Sequence, residues 1–589
     1  MLLRLFTALL LGIGLCGSAP ALAQKQITDA VRPEQSAGTQ EKTLARAEKR
    51  MVAAANPLAA EAGLEILRKG GNAIDAMVTT QLVLGLVEPQ SSGLGGGAFL
   101  VYFDAKTGQL TTFDGRETAP AAADPKLFLD EAGDPLSFYD AVVGGRSVGT
   151  PGTVRLIYET HRRFGALPWK TVVQPAIDLA RKGFEVSPRL NTLIGEDGNR
   201  LKRFSGARDY FFDENGAPLA IGFLLKNEAY AKTLETIADE GADGFYTGAV
   251  AADIVETVQG AEGNPGRLAL SDLAGYRIVE RAPVCAPYRS FEVCGMGPPS
   301  SGALTIGQIL GMIEPYDIAS LGPYSTEAWR IIGDASRLAF ADRGRYMADI
   351  DYVPMPLAGL LDADYLKERS KLLSGDKALT KDAVQPGMPP WDHAMLEQGD
   401  DIAIELPSTS HFVIADAAGN VLSMTTTIEN GFGSRLMVGG FLLNNELTDF
   451  SFETHDDEGR PIANAVAPGK RPRSSMSPTI VMKEGRPVYA LGSPGGSSII
   501  GYVAEALIAV VDWKMNVQEA AALPHLLNRF GTFDIEAGTK AEALADPLKA
   551  MGYEVKISDQ TSGIHAIAIT PDGLEGGADP RREGVAVGD

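Results

Sequence analysis

The sequence predicts an α/β protein of the α+β layered kind, with stacked sheets at the centre and helices outside. Two observations carry this. Short β patterns cluster after residue 408 (SHFVIAD, NVLSMTTTI, PTIVMK, RPVYALG, GIHAIAIT), and helical apolar stretches occur at 57–86 and from Ile499 to Val511. The 589 residues are 45% hydrophobic and 22% charged, a globular composition long enough to bury a large core.

The elements follow in order. Arg4, the apolar stretch Leu5 to Cys16 and the small-x-small site Ala21-Leu22-Ala23 form a secretory signal peptide over 1–23. A periplasmic or secreted protein follows from it. No later stretch reaches the ~18 apolar residues of a membrane span. Gln24 to Arg50 is polar and lacks a core pattern, so it reads as a poorly ordered leader. Pro57 opens a helix that Gly70-Gly71 ends; Asn72 caps a second, from Ala73 to about Leu86, closed by Pro89. The glycines of SSGLGGG (Ser91 to Gly97) then feed a strand, AFLVYF. A dinucleotide fingerprint needs strand, loop, helix, so the reverse order here points to close backbone packing instead. Gln385 to Ser408, rich in Pro, Gly and acids, reads as an exposed, extended connector. A shorter helix is expected near Glu519.

Composition excludes several functions. Lys and Arg total 53 against 75 Asp and Glu, a net charge of −22, and no basic run with interleaved aromatics offsets it; nucleic acid is therefore not a partner. The six histidines are scattered, without HExxH or paired CxxC, so spacing gives no metal site and no cofactor is implied. Of three cysteines only Cys285 and Cys294 survive export. They flank a Pro-Tyr-Arg-Ser turn, as either a cross-strand disulfide or two buried thiols.

Candidate chemistry sits in four places. Thr409 stands where the connector meets a strand, which alone suits a cap as well as a nucleophile. Asp416 to Asn420 is a turn signal between two β patterns; a five-residue loop there sets Thr409 opposite Thr427, on one face. In SPGGSS, Gly495 and Gly496 join a strand to a helix, a turn that either needs glycine backbone or aims N–H groups at an anion. PRSSMSP carries Ser474 and Ser475, and LLNNELTDF carries Glu446 and Asp449; each run alone could be a solvated loop.

Together these runs resemble the γ-glutamyltranspeptidase family of N-terminal-nucleophile hydrolases. The likeness extends over nearly the whole exported chain, through NPLAAEAGLEILRKGGNAIDA, SSGLGGGAF, FDGRETAP with Arg116, and GPPSSG, and is densest from Thr409 onward. The resemblance implies a four-layer αββα sandwich. It also implies an inactive precursor that cuts its own Ser408–Thr409 bond, giving a large chain (24–408) and a small one (409–589) that stay together as one intertwined unit. Thr409 would be the nucleophile, its freed α-amine, with a pKa near about 7.7–8.0, serving as base. Thr427 would hold that amine, and Gly495 and Gly496 would stabilise the oxyanion. Arg116 with Ser474 and Ser475 would clamp the α-carboxylate of a γ-glutamyl donor such as glutathione. Glu446 and Asp449 would take its ammonium, and the acyl group would pass to water or to an amino acid or peptide. The family commonly has Asn two residues after the second Thr. Here Glu429 occupies that place, with Asn430 beside it as a second donor-binding candidate. The segment FETHDDEGRPI lacks a Tyr and is shorter than the lid loop of well-known members. The rival enzyme is a cephalosporin or glutaryl acylase-like amidase on the same scaffold; the rival of another class is an unprocessed secreted binding protein.

Overall fold

The computed structural model describes residues 39–392, 397–401 and 408–589; the signal peptide and the start of the leader lie outside them. The principal strands, in chain order, are β1 (Ala45–Ala47), β2 (Met51–Ala54), β3 (Gly97–Asp104), β4 (Gln109–Gly115), β5 (Val279–Arg281), β6 (Val284–Tyr288) and β7 (Phe291–Gly295). After the connector come β8 (Thr409–Ala415), β9 (Val421–Thr427), β10 (Thr479–Lys483), β11 (Arg486–Gly492), β12 (His565–Thr570), β13 (Gly573–Ala578) and β14 (Val585–Gly588). They make two seven-stranded sheets, ordered β14-β2-β8-β9-β3-β4-β5 and β1-β13-β12-β11-β10-β7-β6. Every pairing in both is antiparallel.

Alternation along the strands builds the layers. Val413 and Ala415 of β8, Val101 of β3 and Met51 of β2 meet Ile480, Ala490 and Ile567 of the other sheet in one apolar seam. The intervening residues face outward: Phe412, Ile414, Leu422 and Met424 pack under helices α1 (Pro57–Arg68), α2 (Ala73–Val87), α3 (Thr153–Phe164) and α4 (Trp169–Lys182). On the far side Val481, Leu491 and Ala566 pack under α5 (Gly302–Ile313), α6 (Thr326–Tyr346), α7 (Ile499–Val511) and α8 (Val517–Ala521). This is the αββα sandwich of the N-terminal-nucleophile hydrolase type.

Local chemistry explains the elements that position the site. Asn72 accepts from the N–H groups of Ile74 and Asp75, and Asp75 returns a bond to the Asn72 N–H. Such a capping box contributes about 1 kcal/mol. All fifteen residues of α2 are buried, as expected for a helix apolar on every side. The sequence expects α1, α2, α7 and α8 where they stand. It does not expect β1: the end of the supposed leader is an edge strand on β13, an interaction of backbone that leaves no side-chain pattern. The connector is exposed at Gln385, Met388, Pro390 and Asp392, as its composition suggests, but its later described part turns inward. Gln398 is buried, and the Asp401 carboxylate, sealed from solvent, pairs with Arg473 at 2.9 Å. Residues 393–396 and 402–407 of that segment lie outside the described residues. Cys285 and Cys294 are register partners on β6 and β7 and form a disulfide, which settles the alternative left open by their spacing.

Candidate active site

The centre of the site is a hairpin end. Asp416 accepts from the N–H groups of Ala418 and Asn420 and, through its other oxygen, from Ala73 at the start of α2. Those bonds fix the five-residue loop, and the register runs from Ala415↔Val421 to Thr409↔Thr427. Both threonines are buried, with Thr409 Oγ1 3.4 Å from Thr427 Oγ1. The Thr427 hydroxyl donates to the carbonyl of Ser408 at 2.9 Å and accepts from the Glu429 N–H at 2.8 Å. Close packing holds the pair from behind: a Cβ on Gly96 would lie 2.0 Å from the Thr427 carbonyl oxygen, so only glycine fits there. This is the backbone packing expected of the SSGLGGG run.

A small cavity opens on these threonines, and Arg116, Glu429, Glu446, Asp449, Ser474 and Ser475 line it together with Gly496. Arg116 follows β4 and is fully buried. Its guanidinium pairs with both Glu446 and Asp449 and donates to the carbonyls of Pro472 (3.1 Å) and Arg473 (2.8 Å). Burial opposes its charge, but the Glu446 and Asp449 carboxylates outweigh that and hold it firmly protonated. Glu446 and Asp449 share a 3-10 turn, Glu446–Asp449, which brings both carboxylates to one arginine. Glu429 has φ 75°, a left-handed conformation uncommon for a residue with a Cβ, and its carboxylate accepts from Asn445 Nδ2.

The other residues singled out by sequence divide. Ser475 Oγ accepts from Arg343 Nη2 at 2.8 Å, and Ser474 Oγ from the Met476 N–H at 3.1 Å. Gly495 and Gly496 both have positive φ, 136° and 56°; Gly496 reaches the cavity wall, whereas Gly495 packs against the Tyr502 ring. Asn430 is not brought to the cavity: its side-chain oxygen accepts from Arg435 Nη2 at 2.6 Å. Sequence reasoning missed Glu117, although it stands beside Arg116 in FDGRETAP. Burial and then the neighbouring Glu446 charge push its carboxyl well above the usual carboxylate range. It also missed Arg343, which links Ser475 to Ser301 of GPPSSG, 2.8 Å from Ser301 Oγ. Among the described residues no group of three His, Cys, Asp or Glu side chains could hold a metal ion, and no helix is long and apolar enough to cross a membrane.

A hydroxyl at the head of a central strand, within an αββα sandwich and beside a charged cavity, fits the N-terminal-nucleophile hydrolase class that the sequence resembles. Comparison with known proteins narrows this. The family described as Gamma-glutamyltranspeptidase matches residues 59–589. The glutathione hydrolase proenzyme of Bacillus subtilis (strain 168) is 37% identical over 551 residues, covering 91% of each chain. The acylase ACY 1 proenzyme of Pseudomonas sp. (strain SE83) is 37% identical over 558 residues, covering 93% of this chain and 95% of its own. The crystal structure of cephalosporin acylase from Bacillus halodurans superimposes with a TM-score of 0.81 at 25% identity, covering 95% of this chain and 99% of that one. The chain belongs to the γ-glutamyltranspeptidase family of enzymes.

Proposed function

We propose that this protein is a γ-glutamyltransferase and glutathione hydrolase, exported as a precursor, that cuts itself before Thr409 and uses the new N-terminus as nucleophile. The observation that carries the reading is the Thr427 hydroxyl, which donates to the Ser408 carbonyl while lying beside Thr409 Oγ1. A donor on that oxygen stabilises the negative charge that develops when Thr409 Oγ attacks the Ser408 carbonyl carbon. The C–N bond then breaks, the nitrogen takes a proton, and the chain is left as an ester on Thr409. Water cleaves the ester, freeing the Ser408 carboxylate and the Thr409 hydroxyl and α-amine. The products are a large chain ending at Ser408 and a small chain, 409–589, held together by strands of both sheets.

In turnover the α-amine takes the Oγ proton as Thr409 attacks the γ-carbonyl of the donor. Gly495 and Gly496 N–H groups stabilise the oxyanion, a term of about 3–4 kcal/mol per donor in other enzymes. Collapse expels the amine leaving group with the proton from the Thr409 ammonium. The acyl-enzyme then passes to water or to an amino acid or peptide amine. Donor recognition follows from charge. Arg116, with Ser474 and Ser475, takes the α-carboxylate; Glu446 and Asp449, already paired with Arg116, turn to the α-ammonium, and Glu429 adds a third carboxylate. An acid-rich wall favours a donor that carries an ammonium.

A second reading, a glutaryl or cephalosporin acylase, is favoured by the acylase relative and the acylase structure. Glutathione against a glutaryl amide separates the two: faster turnover of glutathione is expected, and faster turnover of the glutaryl amide overturns the substrate assignment. Under denaturation the protein should run as two bands, the smaller about 19 kDa of the 62.3 kDa chain and beginning Thr-Ser-His-Phe. Thr409→Ala should give one uncut, inactive chain; two bands from that variant would overturn the mechanism.

A further inference from the structure

Behind the site, in the layer under α7 and α8, lies a sealed polar chain that the proposed chemistry does not use. Glu505 of α7, His525, Ser562 and Asp579 are all buried and bonded in sequence. Glu505 Oε2 lies 2.6 Å from His525 Nδ1, His525 Nε2 lies 2.6 Å from Ser562 Oγ, and Ser562 Oγ donates to Asp579 Oδ2. Hydroxyl arithmetic fixes the direction. Ser562 has one proton and gives it to Asp579, so it can only accept from His525, and Nε2 carries hydrogen. Nδ1 then faces Glu505 across a single further proton. Burial pushes the Glu505 carboxyl up and the His525 ring down, and both directions favour that proton on Glu505 beside a neutral imidazole.

The two residues flanking Ser562 reach both halves of the site. The Thr561 carbonyl accepts from Arg582 Nη2 at 3.1 Å, and Arg582 Nη1 donates to the Thr409 carbonyl at 3.3 Å. The Gly563 N–H donates to Ser493 Oγ at 3.1 Å, and Ser493 in turn bonds the Pro494 carbonyl at 2.8 Å, one residue before Gly495. A Cβ on Gly563 would sit 2.6 Å from the Pro494 ring, so the two segments pack backbone to ring. Tyr502 closes the circuit. Its ring centroid lies 4.3 Å from that of His525, and a Cβ on Gly495 would lie 2.8 Å from the Tyr502 ring.

We propose that Ser562, oriented by the Glu505–His525 pair on one side and Asp579 on the other, is a positioning residue that sets the Thr409 strand against the Gly495–Gly496 turn. It touches neither substrate nor nucleophile. It fixes the Thr561–Gly563 segment, to which the nucleophile's backbone and the oxyanion turn are separately tied. The proposal rests on the functional reading above, because it gives Thr409 and the glycines their roles.

The test uses the full two-chain protein with glutathione as donor. Ser562→Ala and Glu505→Ala should each lower kcat, on the order of tenfold to a hundredfold, with KM held within about twofold, because misplaced oxyanion donors cost more in the transition state than in the ground state. Glu505→Gln should restore kcat to within about threefold, since its amide donates to Nδ1 as the protonated acid does and its oxygen still accepts from the Leu526 N–H. A purely structural role would lower yield and melting temperature while leaving kcat per two-chain molecule unchanged, and that result in Ser562→Ala overturns the proposal. So does a Glu505→Gln enzyme as impaired as Glu505→Ala. If Ser562→Ala does not fold, the Glu505 pair of variants decides alone. A wild-type chain that stays uncut and inert toward glutathione overturns the functional reading, which the variants alone cannot do.

Discussion

Two buried ionic clusters, one on the cavity of the proposed nucleophile Thr409 and one around Arg581, hold their carboxylates differently. Around Arg116, Glu446 and Asp449 pair with one guanidinium on the wall of the cavity, with Glu117, its carboxyl pushed well above the usual range, behind. Around Arg581, Glu536 and Asp579 pair with the guanidinium away from that cavity, and the carbonyls of Ala521 (3.1 Å) and Leu523 (2.8 Å) take its remaining donors. Asp579 also accepts from the Ile564 N–H at 3.0 Å and from Ser562. Both guanidiniums also donate to two backbone carbonyls; the difference lies in the carboxylates, because Asp579 and Glu536 also accept from the backbone N–H groups of Ile564, Arg581 and His525 and cannot exchange partners without moving the chain. Charges bonded to one another at a cavity can exchange them for a zwitterion of matching polarity. The first kind suits holding shape, and the second suits the donor recognition proposed for Arg116.

Variants can break that contrast. The largest effect is expected in the sealed cluster. Arg581→Ala strands Glu536 and Asp579 without their cation and should cost about 3–5 kcal/mol of stability, read from denaturant unfolding of the mature protein. An unchanged midpoint would show that the cluster does not hold the fold. In the open cluster the expected loss is in binding. Arg116→Lys keeps a charge but loses the fork, so donor KM should rise on the order of tenfold while the melting temperature changes little. An unaltered KM would remove Arg116 from donor recognition.

The same contrast explains what the sequence made legible. The Thr409–Thr427 pairing was readable because an Asx loop and two β runs lie within nineteen residues, Thr409 to Thr427, and period-two alternation does the rest. Helix starts at Pro57 and Asn72 were readable because first-turn proline and capping signals are local. The cavity wall was reached only through family likeness, since Arg116 and Glu446 lie 330 residues apart and no spacing rule joins them. The sealed cluster gave no signal: Glu536 lies 45 residues from Arg581, and no spacing rule joins them. Asn430 shows the opposite limit. Adjacency to Glu429 suggested a shared role, but the left-handed turn at Glu429 separates the two side chains, and Asn430 binds Arg435 instead. β1 and β13 escaped because an edge strand and the glycine-rich GLEGGA carry little side-chain alternation.

The smallest expected effect concerns the proton on Glu117. Burial and Glu446 raise this carboxyl in the folded state, whereas in the unfolded chain it titrates near its ordinary value of 4.5. Above that pH the unfolded chain has released the proton and the folded one has not, so rising pH favours unfolding until the folded carboxyl also ionises. Glu117→Gln removes the titration while keeping a neutral side chain of the same shape beside Arg116. The stability of the variant relative to wild type should therefore increase as pH rises above 4.5, by at most about 1.4 kcal/mol per pH unit, until the folded carboxyl ionises. Donor KM should stay within about twofold, because the cluster already contains a neutral group at this position. Denaturant midpoints at several pH values give the first quantity and steady-state kinetics the second. A stability difference that does not change with pH would mean that Glu117 is ionised in the folded protein, and the open cluster would then carry one negative charge more than the contrast with its sealed counterpart allows.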